Sequence, residues 1–397
     1  VTPTQTVTPT PSPTLTPTPI YSPTPMPTVA ASGDLVHVLL IGLDSTRNLS
    51  GQNTDVIIMA VINKDTKQVS LLSIPRDLWV YIPTQGWNRI NMAHKFGHRT
   101  GYPGGGPGLL AETIRVNFGI PTDHWARIDF RGFTRAVDEL GGVDMVIACP
   151  VNLQYKPPGS EEEEQILEPG VYHLDGATAL RYVRTRRDGT DFDRARRQQQ
   201  FLKAVWQQAK RAGLIAQVRG LWTALQDSFQ TDMNVLDVLS LAPLVLDLKP
   251  ERIRSRYISY NHVTNWRNAD GWSVLLPKYD KIQQLVASLY APPSSSGNAL
   301  DGEGARIAVK NGTWQTQIAL VAADQLGWAG LKVVETGPVE NPGVAQTQII
   351  VYRDKPRSVE VLVRELGVNA GNVIYQPDPE APVDIEVIVG EDYDPCG

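Results

Sequence analysis

The sequence predicts an α/β protein: a layered core in which helices pack on a central sheet, followed by a small, separate α+β domain. Three observations predict it. Residues 35–43 (LVHVLLIGL), 56–62 and 69–74 are short, β-branched-rich runs that stay apolar instead of alternating, the pattern of strands buried on both faces. Helix-length stretches follow at 109–118, 130–140, from about 194 to 212, and on to Leu248, and strands mixed with helices of this length build an α/β or α+β sandwich. After residue 304 the pattern tightens into RIAVKNG, a helix over 316–326, LKVVETG, TQIIVYR, a helix over 358–366, NVIYQ and DIEVIVG, enough for an independent α+β domain.

The elements divide the chain into four segments. Residues 1–32 are dominated by Pro and Thr in the pattern TPTPSPTLTPTP, which lacks a periodic apolar face and cannot offset its ordering entropy, so a disordered, extended stalk is expected. Residues 33–291 form the main domain, 292–304 (PPSSSGNALDGEG) a linker, and 305–391 the small domain.

The chain has 397 residues, 42% hydrophobic, and a net charge of -5. An acidic balance speaks against a general nucleic-acid binder, whose surface is normally basic, so any phosphate chemistry must come from a local cluster. The two cysteines, Cys149 and Cys396, build neither a zinc site nor a disulfide framework; a bridge between them is open, with nothing in the sequence to support it. No apolar run reaches the roughly 18 residues of a membrane span, and the sequence opens on Val1, so neither a span nor a signal peptide is read from it.

The local basic cluster is RYVRTRRDGTDFDRARRQQQ, residues 181–200, with seven arginines against three aspartates. A charge run usually marks a solvated helix face. At 100° per residue, however, Phe201, Leu202, Val205 and Ala209 fall on one side of a helix, with Arg194, Arg197 and Gln198 on or beside it. Arg196, Gln199, Gln200, Lys203, Gln207 and Lys210 fall on the other. Arginines on a buried face near a helix start call for an anion, because an unpaired buried charge is strongly disfavoured and the helix N-terminus adds partial positive charge. Asp191 or Asp193 is the expected N-cap. Upstream, LRYVRTR has strand character, which would project Arg184 and Arg186 from one face. Guanidinium forks grip phosphate oxygens in pairs and suit a pyrophosphate. The bland alternative is that these arginines pair with Asp188, Asp191 and Asp193.

A second constellation is acidic. Asp44 ends the first strand and Asp55 begins the second, so both can lie at one sheet edge, where two carboxylates with water and phosphate oxygens hold Mg²⁺; capping and turn formation are the commoner uses of such residues. A third is SIPRD, residues 73–77, which sets Arg76 and Asp77 at the end of the third strand, for chemistry or for a salt bridge. His94 and His98 are spaced i, i+4 but lack an acidic third ligand, so zinc is not read there. GYPGGGPG, residues 101–108, lacks the Lys-Ser/Thr of a P-loop and reads as a flexible loop, and the acidic run 161–164 as a solvated one.

Taken in order, GLD, TDVIIM, VSLLSIPRD, RIN, IDFRGFTRAVDELGGVD, LDGATALRYVRTR and DFDRARRQQ resemble the LytR-CpsA-Psr family over roughly residues 34–212, less distinctly to about 290. Residues 304–391 resemble the small LytR C-terminal-type domain appended to some members. The resemblance implies an α-β-α sandwich with a central mixed sheet, an apolar channel for a polyprenyl chain, and a mouth where Mg²⁺ (or Mn²⁺) and arginines hold a pyrophosphate. It casts Asp44 and Asp55 as the metal-side acids and Arg76, Arg184, Arg186, Arg194, Arg197 and Gln198 as the pyrophosphate-binding set. Arg89, in NRIN, stands where relatives commonly carry Lys and joins that set with a different donor geometry. Asp77, with Arg76, is the catalytic pair, Asp77 being the candidate base toward an acceptor hydroxyl.

The implied activity is transfer of a polyprenyl-diphosphate-linked glycopolymer, as its glycosyl phosphate, onto peptidoglycan. The implied location is extracytoplasmic, at a membrane surface reached through an N-terminal anchor absent from this chain, with no nucleic-acid partner. Two other classes remain: a non-catalytic binder or sensor of polyprenyl phosphate lipid, and the older family label of transcriptional attenuator, which suits an acidic chain without a basic helix-turn-helix poorly.

Overall fold

A computed structural model describes residues 24–29, 32–44, 52–153, 165–187, 189–211, 213, 229–268, 271–292, 300 and 302–396. Most of the Pro/Thr-rich stalk, the acidic run 161–164, Asp188 and most of the linker lie outside the described residues.

The central sheet has six strands: β1 (Leu35–Leu43), β2 (Thr54–Asn63), β3 (Gln68–Ser73), β4 (His124–Ile128), β5 (Phe229–Thr231) and β6 (Ile253–Tyr257). Their spatial order is β5-β4-β1-β2-β3-β6. β2 runs antiparallel to both β1 and β3, while β4 lies parallel to β1 and β6 parallel to β3, so the sheet is mixed. The runs are continuously apolar because both faces are covered. Leu39, Ile41 and Leu43 of β1, with Ile57, Met59 and Val61 of β2, pack against helices α1 (Met92–Arg99) and α2 (Gly105–Phe118) and the later helix α7 (Tyr279–Leu289). The alternate residues Val38, Leu40, Ile58 and Ala60 face the other way, toward Leu202. That second layer is built from α3 (Phe130–Glu139), α4 (Gly176–Arg184) and α5 (Asp191–Arg211), with α6 (Val235–Asp247) at its margin. α3, α4 and α5 share a core with the antiparallel pair Val143–Ile147 and Gly170–Leu174.

The small domain has a five-stranded sheet made of β7 (Arg306–Asn311), β8 (Lys332–Pro338), β9 (Gln348–Val351), β10 (Val373–Tyr375) and β11 (Ile385–Val389), in the order β8-β7-β11-β9-β10. Helices α8 (Ile318–Trp328) and α9 (Pro356–Leu366) supply the rest of its core.

Several expectations change on contact with the structure. Residues 24–29, assigned to the stalk, lie against α2: the Met26 amide donates to the Val116 carbonyl at 2.9 Å and Val29 packs on the main core. The end of the linker belongs to the small domain, because Leu300 is buried in its core and the Glu303 carboxylate accepts from the amides of Arg357 and Ser358 at the start of α9. GYPGGGPG is only half a loop. Its last four residues open α2, and Gly106 is small because α1 and α2 touch there: a Cβ on it would fall 2.6 Å from the His94 ring.

Cys149 and Cys396 form a disulfide, Cα to Cα 5.4 Å, joining the two domains across 247 residues of sequence. The same interface sets Lys203 of α5 over the Trp328 ring of α8, at 4.7 Å, with Trp206 beside it.

Candidate functional site

The site begins with an irregularity in the ladder. Gly42 pairs with Val56 and Leu43 with Thr54, so Asp55 is the extra residue of a β-bulge. A bulge kinks the strand and re-aims the side chain that it inserts. Gly42 is tied to it, since a Cβ there would meet Val56 Cβ at 2.8 Å. Asp44 leaves β1 directly opposite, its amide donating to the Asn53 carbonyl at 3.4 Å. The two acids therefore share one sheet edge, as their strand-end positions predict.

Arg76 follows β3 and lies between two carboxylates. Its Nη1 donates to Asp55 Oδ1, and its Nε is 3.6 Å from Asp77 Oδ2. Burial pulls this guanidinium down, but Asp55, with Asp77 and Asp191, together outweigh it and hold the group above its ordinary value. Asp77 also meets Arg89 Nη1 at 3.4 Å, and Arg89 in turn donates to the Ser273 carbonyl at 2.9 Å.

The segment predicted to carry Arg184 and Arg186 on a strand is instead helix α4 followed by one extended residue, Thr185. Asp175 caps α4 by accepting from the Thr178 amide at 2.7 Å, and Ala179, Tyr182 and Val183 bury one helical face, which overrides the strand-like alternation. Arg184 still reaches the edge: it stacks on Phe130 at 4.0 Å and approaches Asp44 Oδ1 at 3.8 Å. Arg186 pairs with Asp191 at 3.3 Å.

In α5 the phase argument holds for Arg194, Arg197 and Gln198, which are 5%, 8% and 9% exposed, while Arg196 is exposed. The cap is Thr190, not an aspartate. Its amide and hydroxyl donate to Asp193 at 2.7 and 2.8 Å, and its hydroxyl takes the Phe192 amide. Gln199, expected on the polar side, is fully buried and ties two strands together through Ser73 Oγ (2.8 Å) and the Arg256 carbonyl (3.0 Å). Arg194 points to the edge, with Nη2 at 3.0 Å from Asp191 and 3.4 Å from the Asp55 carbonyl, and its buried Nε has no hydrogen-bond partner among the described residues. Burial pushes it down to about 10. Arg197 does not join it: its guanidinium donates to the Thr185 carbonyl, and Gln198 donates to the Val183 carbonyl at 3.2 Å, so both brace the α4–α5 connection. The bland expectation of arginine–aspartate pairing is therefore partly met, by Asp191.

These side chains rim a cavity of about 1090 Å³ between the sheet and the second helical layer. Leu40, Val56 and Ile58 form its floor, and Phe133, Leu180, Phe201 and Leu202 its roof. Arg76, Arg184, Arg186, Arg194 and Gln198 line it together with Asp44 and Asp55, whereas Asp77, Arg89 and Arg197 do not. Arg127, Arg181 and Arg187 also line it and were not singled out in the sequence. Arg127 comes from β4, opposite Ile41 of β1, a pairing between strands that the sequence does not carry. Its Nη1 meets His94 Nε2 at 3.0 Å, and burial pushes that histidine down to about 4, so His94 serves as a neutral core partner. Among the described residues, seven arginines against three aspartates line the cavity, so the described part of the rim is cationic. An apolar cavity under a cationic rim takes an amphiphile with a hydrocarbon tail and a multiply charged anionic head.

Among the described residues there is no cluster of three or more His, Cys, Asp or Glu able to hold a metal. Asp44 and Asp55 at one edge nevertheless fit a hard cation that draws its remaining oxygens from water and a substrate phosphate.

The LytR_cpsA_psr family model matches residues 16–289, and the model described as LytR cell envelope-related transcriptional attenuator matches residues 304–393. The chain is 28% identical over 221 residues, 54% of its length and 66% of the relative's, to the polyisoprenyl-teichoic acid–peptidoglycan teichoic acid transferase TagT of Bacillus subtilis. It is 32% identical over 204 residues, 51% of its length and 60% of the relative's, to TagU of Oceanobacillus iheyensis, which carries the same activity name. The chain thus spans about two thirds or less of the curated relatives it matches. A solved structure of YwtF (TagT) with bound octaprenyl pyrophosphate lipid superposes with a TM-score of 0.50 at 25% identity, covering 64% of this chain and 89% of that one.

Proposed function

Because this chain belongs to the LytR-CpsA-Psr family, we propose that it transfers a glycopolymer, as its glycosyl phosphate, from a polyprenyl diphosphate carrier to a sugar hydroxyl of peptidoglycan. The observation that carries this reading is the continuity between the apolar cavity and its arginine rim, which suits a polyprenyl tail and a diphosphate in one ligand. The transferase names of TagT and TagU, and the lipid in the YwtF structure, support it.

In the proposed reaction the acceptor hydroxyl oxygen bonds to the glycan-bearing phosphorus, and the bond from that phosphorus to the bridging oxygen breaks. Polyprenyl monophosphate leaves with the electron pair. Arg76, Arg184, Arg186 and Arg194 bind the diphosphate and neutralise charge that shifts onto the departing phosphate. Gln198 and Arg197 keep the α4–α5 connection, and with it Arg184 and Arg186, in register. Asp77, ion-paired to Arg76 and Arg89, accepts a hydrogen bond from the acceptor hydroxyl and takes its proton. Asp44 and Asp55 would hold Mg²⁺ or Mn²⁺, which supplies further charge neutralisation at the diphosphate when bound.

The disulfide suits an oxidising, extracytoplasmic setting. No described helix is long and apolar enough to cross a membrane. The Pro/Thr-rich segment is suited to spacing the domain from a membrane anchor N-terminal to it.

The test is a single-turnover assay with a synthetic polyprenyl diphosphate saccharide and uncross-linked peptidoglycan. Release of polyprenyl monophosphate with saccharide-phosphate joined to glycan is expected. A protein that binds the donor and releases it unchanged is a lipid sensor, and the transferase reading falls.

A further inference from the structure

Beyond the cationic rim, on the side away from the cavity, two β-hairpins expose a concentration of aromatic rings. The first pairs Trp79–Ile82 with Gly86–Arg89, with Trp79 opposite Arg89 and Tyr81 opposite Trp87. Residues two apart share a face, so Trp79, Tyr81, Trp87 and Arg89 all lie on one side of this ribbon. The second pairs Val263–Arg267 with Ser273–Pro277. It is stitched to the first through the Leu275 amide, which donates to the Asp77 carbonyl at 3.0 Å.

Across the seam Trp79 meets Trp266 edge to face at 6.2 Å, and the Arg89 guanidinium lies over Trp272 at 5.2 Å. Trp87, Trp266 and Trp272 are 43%, 43% and 49% exposed. Exposed tryptophans gathered this closely are unusual on a surface that meets only water. Thr264 shares the Trp266 face of its strand and is exposed, as are Asn265 and Arg267 on the other face.

Position decides what such a ledge is for. Arg76 lines the cavity, while Asp77 and Arg89 stand on its far side, and Arg89 connects Asp77 to Trp272. In a phosphoryl transfer the attacking and leaving oxygens are in line. With the leaving polyprenyl phosphate on the cavity side, the nucleophile must arrive over Asp77, from the direction of the tryptophans. Pyranose rings present C–H faces that stack on the electron-rich faces of indoles, and their hydroxyls pair with polar groups such as Thr264 and Arg89 beside the rings.

We propose that this two-hairpin tryptophan ledge binds the acceptor glycan strand and sets its hydroxyl over Asp77. The proposal rests on the transferase reading above and adds to it where the second substrate sits.

The experiment uses the full chain and the variants Trp87→Ala, Trp266→Ala and Trp272→Phe, with near-ultraviolet circular dichroism and thermal unfolding as controls for folding. Donor binding is read with a fluorescent polyprenyl diphosphate, and acceptor binding from tryptophan fluorescence on titrating soluble, uncross-linked peptidoglycan strands. Folded Trp87→Ala and Trp266→Ala should keep wild-type donor affinity and kcat while the KM for acceptor rises about tenfold, on the order of one stacked ring. Trp272→Phe keeps a ring and should lose less. If Trp266→Ala unfolds the hairpin, Trp266→Phe and Trp87→Ala carry the test. Unchanged acceptor KM in folded variants overturns the ledge and leaves the transferase reading standing. Absence of turnover in the wild type, with donor bound, overturns the transferase reading instead. Loss of binding to phosphatidylglycerol vesicles with acceptor KM intact also overturns the proposal, in favour of a membrane-facing surface.

Discussion

Replacing Arg194 by Met separates a guanidinium kept for a ligand from one kept for the fold. Arg194 is 5% exposed, its Nε has no partner among the described residues, and burial pushes it from 12.5 down to about 10. At about 1.36 kcal/mol per pK unit, holding that charge in the ligand-free protein costs about 3 kcal/mol. That cost is what remains after its contact with Asp191, and Asp191 keeps Arg186 at 3.3 Å when Arg194 is gone. Methionine fills a similar volume without the charge, so the ligand-free variant should be as stable as wild type, or more so, in urea unfolding. Donor affinity should move the other way. A hydrogen bond to a charged group is worth about 1.5 to 3 kcal/mol, so the dissociation constant for a fluorescent polyprenyl diphosphate should rise roughly 10- to 150-fold. Arg196→Ala, exposed on the same helix, should change neither quantity. A variant destabilised by about 2 kcal/mol or more that still binds donor like wild type would make Arg194 a structural residue and refute the reasoning.

Further outcomes follow from other parts of the molecule. Asp44→Asn and Asp55→Asn should each weaken Mn²⁺ binding in the presence of inorganic pyrophosphate, read by electron paramagnetic resonance; wild-type metal affinity in both would remove these acids from any metal site. Asp77→Asn should lower kcat by about 10² to 10⁴ with donor affinity preserved, as loss of a proton acceptor does, and single-turnover rates check it. Burial raises Asp324 from 3.8 to about 6, so its neutral form favours the fold: that contribution is complete below about pH 4 and is lost as pH rises through about 6. Asp324→Asn should therefore stabilise the protein at pH 7.5, by at most about 3 kcal/mol, and not at pH 3.5, as thermal unfolding at the two pH values would reveal. Replacing Cys149 and Cys396 together by Ser should lower stability by about 2 to 5 kcal/mol under oxidising conditions and not relative to the reduced wild type, measured by calorimetry.

How much could be read in advance depended on whether the signal was local. The buried strands announced themselves because a sheet covered on both faces leaves no polar alternation, and the inward phase of Arg194 followed from helical geometry alone. Arg184 and Arg186 were misread as strand because Tyr182, Val183 and Thr185 favour strands. The decision lay with the Asp175 cap and with packing of Ala179 and Tyr182, which is tertiary. Gln199 and Lys203 looked solvent-facing because a helical wheel knows one core. The real helix meets strands β3 and β6 through Gln199 and a second domain through Lys203. Arg197 lay on the expected face, but a wheel cannot say whether a buried guanidinium meets a carbonyl or a ligand. The cysteine pair was beyond reach for the same reason, being a contact across 247 residues. Asp55 was found as a strand-end acid; that it is an insertion in the ladder was not legible, since a bulge is a relation between two strands.

That insertion makes the domain vulnerable in an unusual direction. With residue 55 removed, Gly42 to Leu43 and Thr54 to Val56 would fall into unbroken register where β1 ends and β2 begins, and Arg76 would lose the carboxylate that pairs with it. Most lesions that destroy an active site leave a fold no better off, whereas this one regularises a ladder while stranding a guanidinium, so its gain is realised only where Arg76 is replaced as well. A stability-driven directed-evolution campaign on this domain should therefore accumulate single-codon deletions at position 55 together with neutral substitutions of Arg76, and the frequency of that pair among survivors would measure how much order the molecule forgoes to keep one carboxylate turned toward the rim.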